Sequence, residues 1–144
     1  MIIETNFKDN EDIPVKHTCK GKNTSPPFKI SEIPENAKSM AIIVIDPDAN
    51  NFIHWVIYNI PLSGKDITIE ENTNLGMQGE NSLGKAGYFG PCPPSGKHRY
   101  IFSFYILDSI LFINNRKKEE INRAMSGHII ENQIITGYFE KNKE

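Results

Sequence analysis

Three stretches of chain restrict the possible folds more than any other feature: Ser39 to Asp46 (SMAIIVID), Phe52 to Ile60 (FIHWVIYNI) and His98 to Asp108 (HRYIFSFYILD). Each is apolar and rich in β-branched or aromatic side chains, and Pro47 and Pro61 close the first two. Such side chains are stiff at the first torsion and suit a pleated surface, so all three read as buried strands. In the third, His98, Tyr100, Phe102, Phe104 and Ile106 share one face, and Arg99, Ile101, Ser103, Tyr105 and Leu107 share the other. The apolar composition points the same way, with 22 Ile against 5 Leu and 3 Val. Part of that bias is discounted, because Lys also outnumbers Arg 13 to 3, as an AT-rich genome would give.

Shorter strands are expected at Ile2 to Phe7, around Ile13 to His17, at Phe28 to Ile30 and at Ile129 to Phe139. One helix is expected after Asn114 or Asn115 as its cap. Glu119 and Glu120 fall in its first turn, Ile121, Ala124 and Met125 form an apolar stripe, and Gly127 ends it. Between Pro61 and Lys97, seven glycines break every pattern, and a loop that long inside a small domain is usually functional. Many strands with one or two short helices imply a mainly β sandwich or barrel.

The chain has 144 residues, enough for a single domain spanning 1–144 to bury its own core without staples. Its 16 basic and 18 acidic side chains are scattered and leave a net charge of -2. That argues against a nucleic-acid surface or a polybasic membrane anchor, and leaves room for a small local anion site. The start shows no basic segment followed by an apolar stretch, and no apolar run approaches the ~20 residues that span a bilayer. Cytoplasmic residence without stable membrane insertion is the expectation. In that setting Cys19 and Cys92 are expected to be reduced thiols.

The chemistry concentrates at strand ends. Asp46 closes one strand, His54 opens the next after a turn containing Pro47 and Asp48, and His98 opens a third. If the first two strands are antiparallel neighbours and the third runs parallel to the second, all three side chains meet on one rim. An Asp before a turn or a strand His is, taken singly, an ordinary structural residue. Two of each beside one loop is a stronger signal. That loop, Gly87 to Tyr100 (GYFGPCPPSGKHRY), holds three prolines that stiffen it and glycines that let the backbone approach a ligand closely. A stiff loop with free N–H groups near imidazoles suits a small anion such as a phosphate ester.

Competing motifs fail on spacing. A cysteine phosphatase loop needs five residues between Cys and Arg, whereas six separate Cys92 from Arg99. Gly96-Lys97 is followed by His98 instead of Ser or Thr, and no Gly-x-Ser-x-Gly elbow exists. No His-x-His pair or His-Glu-x-x-His helix is present, so no metal and no cofactor are expected. His17 and His128 fit no constellation and read as surface or packing residues.

Asp46-Pro47-Asp48-Ala49, His54-Trp55-Val56-Ile57-Tyr58-Asn59-Ile60-Pro61, and Gly90-Pro91-Cys92-Pro93-Pro94 through His98-Arg99-Tyr100 closely resemble the phosphatidylethanolamine-binding protein family. Ser25-Pro26-Pro27 and Gly127-His128 before a final strand are most similar to its bacterial and archaeal, Raf kinase inhibitor-like branch. The resemblance implies a two-sheet antiparallel β-sandwich with an anion pocket for phosphate or phosphoryl head groups. Carried over by position, that pocket comprises Asp46, Asp48, His54, Gly90, Pro91, His98 and Tyr100. Two departures stand out. Asn50 occupies a place where the family commonly has Pro, and the chain ends at Glu144 without the C-terminal helix of eukaryotic members. Lipid or kinase binding by those members therefore transfers poorly, and small polar ligands are favoured.

The primary expectation is recognition without turnover. His54 and His98 would donate to phosphate oxygens, Asp46 would fix one imidazole tautomer, Asp48 would brace the loop, Tyr100 would add a hydroxyl donor and Gly90 would admit the ligand. An enzyme built on the Asp-His-His set with Cys92 as nucleophile is one alternative. A protein-binding inhibitor of a kinase or protease, with a vestigial pocket, is the other.

Overall fold

Strict alternation along the third apolar stretch organises the molecule, described over residues 1–142 of a computed structural model. That stretch is strand β8 (Lys97–Leu107), and its Tyr100, Phe102, Phe104 and Ile106 are fully buried on one face. Before it come β1 (Ile2–Glu4), β2 (Glu11–Asp12), β3 (Phe28–Ser31), β4 (Ser39–Asp46), β5 (Phe52–Pro61), β6 (Ile67–Ile69) and β7 (Met77–Gln78). After it come helix α1 (Lys118–Met125) and β9 (Ile129–Glu140). The strands form a three-stranded sheet, β1-β3-β6, and a six-stranded sheet, β2-β9-β8-β4-β5-β7. Pairing is antiparallel except where β2 lies parallel to β9, opposite only Gly137 and Tyr138. The chain is thus a mainly β, two-sheet sandwich with one α-helix.

Phe28 and Ile30 of the small sheet pack on Met40, Ile42, Val44, Phe102 and Phe104 of the large one. The Phe28 and Phe104 rings meet edge to face, 5.1 Å between centroids, and each such buried side chain contributes ~1.5–3 kcal/mol. The opposite face of the large sheet is covered as well. Ala41, Ile43, Val56, Tyr58 and Leu107 pack there against Leu111 and against Ile121 and Met125 of α1. Asn59 fixes that cover by exchanging two hydrogen bonds with the backbone of Leu111, at 2.9 and 2.8 Å. Burial on both faces explains why SMAIIVID shows no alternation of polar and apolar residues.

Three local expectations are corrected. Ile13 to His17 is not a strand: β2 ends at Asp12, and Val15–His17 forms a 3-10 turn. Pro14 lacks the N–H that a continuing ladder requires, and Thr18 closes the turn onto the Val15 carbonyl through both its N–H and its hydroxyl. The segment between Pro61 and Lys97 is not without structure. It contains β6 and β7, and the Asn81 side chain knits the rest by donating to the Gly87 carbonyl and accepting from Leu83 N–H. The helix starts later than expected, with Lys117 at its N-cap and no side-chain cap, because Asn115 spends its carbonyl on Lys117 N–H.

Asn50 resolves the departure noted above. It ends the 3-10 turn Pro47–Ala49 with φ 55° and ψ 44°, in the left-handed region, which Pro, locked near φ −65°, does not enter. Asn50→Pro is therefore expected to lower stability by ~2–3 kcal/mol in urea unfolding, whereas Asn50→Gly is nearly neutral. A proline variant as stable as the parent would overturn this backbone assignment.

Candidate functional site

Because β4 is antiparallel to both β5 and β8, β5 and β8 run in the same direction. The end of β4 and the starts of the other two strands therefore share a rim. Asp46 sits at its centre, 2% exposed. Its Oδ2 accepts from His98 Nδ1 at 2.6 Å and its Oδ1 from Asp48 N–H at 2.8 Å. Asp48 turns outward to Arg99, accepting from its backbone N–H at 2.8 Å, Nε at 3.2 Å and Nη2 at 3.1 Å. Hydrogen bonds from Arg99 hold the Asp48 carboxyl below the usual carboxylate range. Asp48 thus braces the start of β8 at the outer edge of the rim.

His54 is 4% exposed. Its Nδ1 donates to the Phe89 carbonyl at 2.6 Å, and Phe89 N–H donates back to the His54 carbonyl at 2.9 Å. The two rings stack at 5.7 Å, and the Tyr100 ring meets His54 edge-on at 5.2 Å. Burial pushes the His54 pKa below the ordinary histidine value, outweighing the Phe89 carbonyl and Asp46, which act to raise it. Both imidazoles thus use their Nδ1 protons inside the protein: His98 on Asp46, as expected of one ring, and His54 on the Phe89 carbonyl.

Tyr100 is fully buried, and its hydroxyl has no hydrogen-bond partner. Burial, reinforced by the Asp46 charge, raises its pKa well above the ordinary phenol value. The Cys92 N–H approaches the oxygen and partly opposes that rise, without reaching hydrogen-bond geometry. An orphaned buried hydroxyl is uncommon and calls for a partner. Tyr100 lines a cavity of about 350 Å³ together with Asp46 and His54, and Phe52, Phe89, Pro93 and Pro94 give the remainder an apolar lining.

Other residues expected in the site have different tasks. Gly90 N–H donates to the Asn23 Oδ1 at 2.7 Å, and a Cβ on Gly90 would stand 2.3 Å from the His17 carbonyl oxygen. The close approach that requires glycine is therefore to the 17–23 segment. The Pro91 carbonyl accepts from Cys19 N–H at 3.1 Å. Neither residue, nor Asp48, nor His98, lines the cavity. His17 is a buried packing residue, with Nδ1 2.8 Å from the Thr24 carbonyl, and exposed His128 pairs with Asp108 at 2.9 Å. Phe52 and Phe89 were passed over in the sequence, although Phe89 lies within the Gly-Pro-rich loop.

The expectation of free thiols is overturned: Cys19 and Cys92 form a disulfide, with Cα atoms 5.5 Å apart. The 3-10 turn and the tight packing of Gly21 onto Val15 and Lys16 bring Cys19 beneath the Gly-Pro loop, a proximity that no spacing along the chain reveals. Cys92 accordingly offers no thiolate nucleophile. Among the described residues, no group of three or more His, Cys, Asp or Glu is placed to hold a metal ion, and no helix is long and apolar enough to cross a membrane.

The chain matches the family model described as phosphatidylethanolamine-binding protein over residues 3–140. It is 40% identical to a UPF0098 protein of Pyrococcus abyssi, covering 96% of this chain and 84% of the relative. A UPF0098 protein of Methanothermobacter thermautotrophicus is 41% identical, covering 94% and 95%. The crystal structure of a phosphatidylethanolamine-binding protein homologue from Chlamydia trachomatis superimposes with a TM-score of 0.89 at 37% identity, covering 97% of both chains. E. coli YbcL, described as a member of the mammalian PEBP family, gives 0.83 at 28% identity over 96% of both. Agreement in sequence and in three dimensions along nearly the whole length places this chain in the phosphatidylethanolamine-binding protein family.

Proposed function

We propose that the protein binds a small ligand through a phosphate or phosphoryl head group seated against Asp46, His54 and Tyr100. The observation that carries this reading is the Tyr100 hydroxyl, buried, protonated and without a partner beside the cavity. It supplies the hydrogen bond that a phosphoryl oxygen accepts. Family membership supports a ligand-binding role in general. Binding is weak, on the order of 0.1–10 mM, because few hydrogen bonds offset the ion's hydration. The Cys19–Cys92 bond is of the kind that persists in oxidising settings, which bears on the cytoplasmic residence expected from the sequence.

The test is an NMR titration with O-phosphoethanolamine at two pH values, following both imidazole rings. Shifts in the His54 and His98 resonances that saturate in this range, and weaken at the higher pH, are expected. The His54 ring itself should titrate below the ordinary histidine midpoint, because burial disfavours its charged form. Unmoved rings in the folded protein would remove the proposal.

A further inference from the structure

We infer that the pocket takes a phosphoryl group in its singly protonated form and rejects oxyanions that carry no proton, such as a sulfate ester. This inference rests on the phosphoryl-binding reading above and names the chemical state of the ligand that the same site selects.

The balance of donors and acceptors around the cavity sets this preference. Asp46 contributes a carboxylate whose two oxygens already accept from His98 Nδ1 and Asp48 N–H, and each oxygen retains a further lone pair. His54 has committed its Nδ1 proton to the Phe89 carbonyl, so the nitrogen left over in a neutral ring, Nε2, is an acceptor. The Tyr100 hydroxyl, buried and without a partner of its own, is a donor among these acceptors, and the Cys92 N–H lies beside its oxygen. Arg99, at the start of β8, is engaged by Asp48 through Nε and Nη2.

The groups around His54 keep that balance. Asp46 on β4 and the Phe89 and Gly90 carbonyls of the loop act to raise its pKa, His98 on β8 acts to lower it, and burial outweighs them all. Its ring therefore stays neutral around neutral pH. Tyr100 of β8 packs edge-on and brings its hydroxyl, not a charge.

An oxyanion without a proton would satisfy Tyr100 and then turn its remaining lone pairs on a carboxylate and an imidazole lone pair. A buried acceptor left facing another acceptor is strongly unfavourable. A phosphomonoester carrying one proton instead donates from its P–OH to Asp46 or to His54 Nε2 and accepts from Tyr100. The second ionisation of such esters lies near pH 6. Above it the ligand, and not only the protein, loses the proton on which the fit depends. The apolar members of the lining, Phe52, Phe89, Pro93 and Pro94, suit an organic substituent on the ester.

The experiment compares phenyl phosphate, phenylphosphonate and phenyl sulfate on the unmodified, disulfide-bonded protein, by calorimetry and by His ring shifts, at pH 5.5 and pH 8. Phenyl phosphate should bind at least about tenfold more tightly than phenyl sulfate at the lower pH. Its affinity should fall about tenfold per pH unit above its own second ionisation. Phenylphosphonate, whose second ionisation lies higher, should keep its affinity to correspondingly higher pH. Phenyl sulfate binding within threefold of phenyl phosphate, or gaining affinity in acid, would show that an imidazolium is the donor and overturn the inference while leaving the phosphoryl pocket standing. If no ligand of the three, nor O-phosphoethanolamine, shifts either ring, the pocket reading itself fails.

Discussion

Opening the Cys19–Cys92 bond, by reduction or by replacing both residues with Ser, is expected to lower the unfolding free energy by ~4 kcal/mol. The two cysteines are 73 positions apart, so the bond denies the unfolded chain a large set of conformations. Closing a loop of that size is worth about this much in the chain-entropy account. For a domain of this length the loss corresponds to a melting midpoint lower by roughly 10–15 °C. The folded loop stays in place meanwhile, because Gly90 N–H still donates to Asn23, Tyr88 hydroxyl to the His17 carbonyl and Cys19 N–H to Pro91. Phosphate-ester binding at low temperature should therefore survive reduction. Scanning calorimetry with and without a reductant decides the matter, and equal midpoints would mean that the bond contributes nothing to the stability of the fold.

Replacing Asp46 by Ala is expected to cost ~3 kcal/mol and to abolish ligand binding together. The substitution strips a buried acceptor from His98 Nδ1 and from Asp48 N–H, and buried donors left unsatisfied are the main source of such losses. Asp48→Ala is the informative control. Its bonds to Arg99 lie on the surface, where ion pairs contribute little, so stability should change only slightly. Urea unfolding of both variants, followed by an O-phosphoethanolamine titration of whichever remains folded, measures the contrast. Equal losses in the two would contradict the assignment of Asp46 as the centre of the rim.

The sandwich was legible because its evidence is local. Alternation in His98 to Asp108 and unbroken apolar character in Ser39 to Asp46 follow from which faces are buried, and both survive in β8 and β4. The meeting of Asp46 with His98 was conditional in the sequence, since strand order is a property of the whole chain, and the antiparallel neighbours of β4 supply that condition. What stayed hidden depends on contacts distant along the chain. Cys19 meets Cys92 only because a 3-10 turn after Pro14 folds under the Gly-Pro loop. The need for glycine at position 90 comes from the His17 carbonyl, which no motif around Gly90 contains. The His54 bond was hidden for the same reason: the partner of its Nδ1 is a backbone oxygen 35 residues away, and backbone oxygens carry no signature in a sequence.

The brief pairing of β2 with β9 has a bearing on solubility. β2 covers β9 only at Gly137 and Tyr138, so toward its start β9 has no strand beside it on that side among the described residues. Uncovered strand borders can recruit other chains into aggregates, and polar or charged side chains are a common safeguard. Here Glu131, Asn132 and Gln133 interrupt an otherwise isoleucine-rich segment, Ile129-Ile130 before them and Ile134-Ile135 after. A hydrophilic triplet at that point works against the templating of fibrils along the boundary of the molecule.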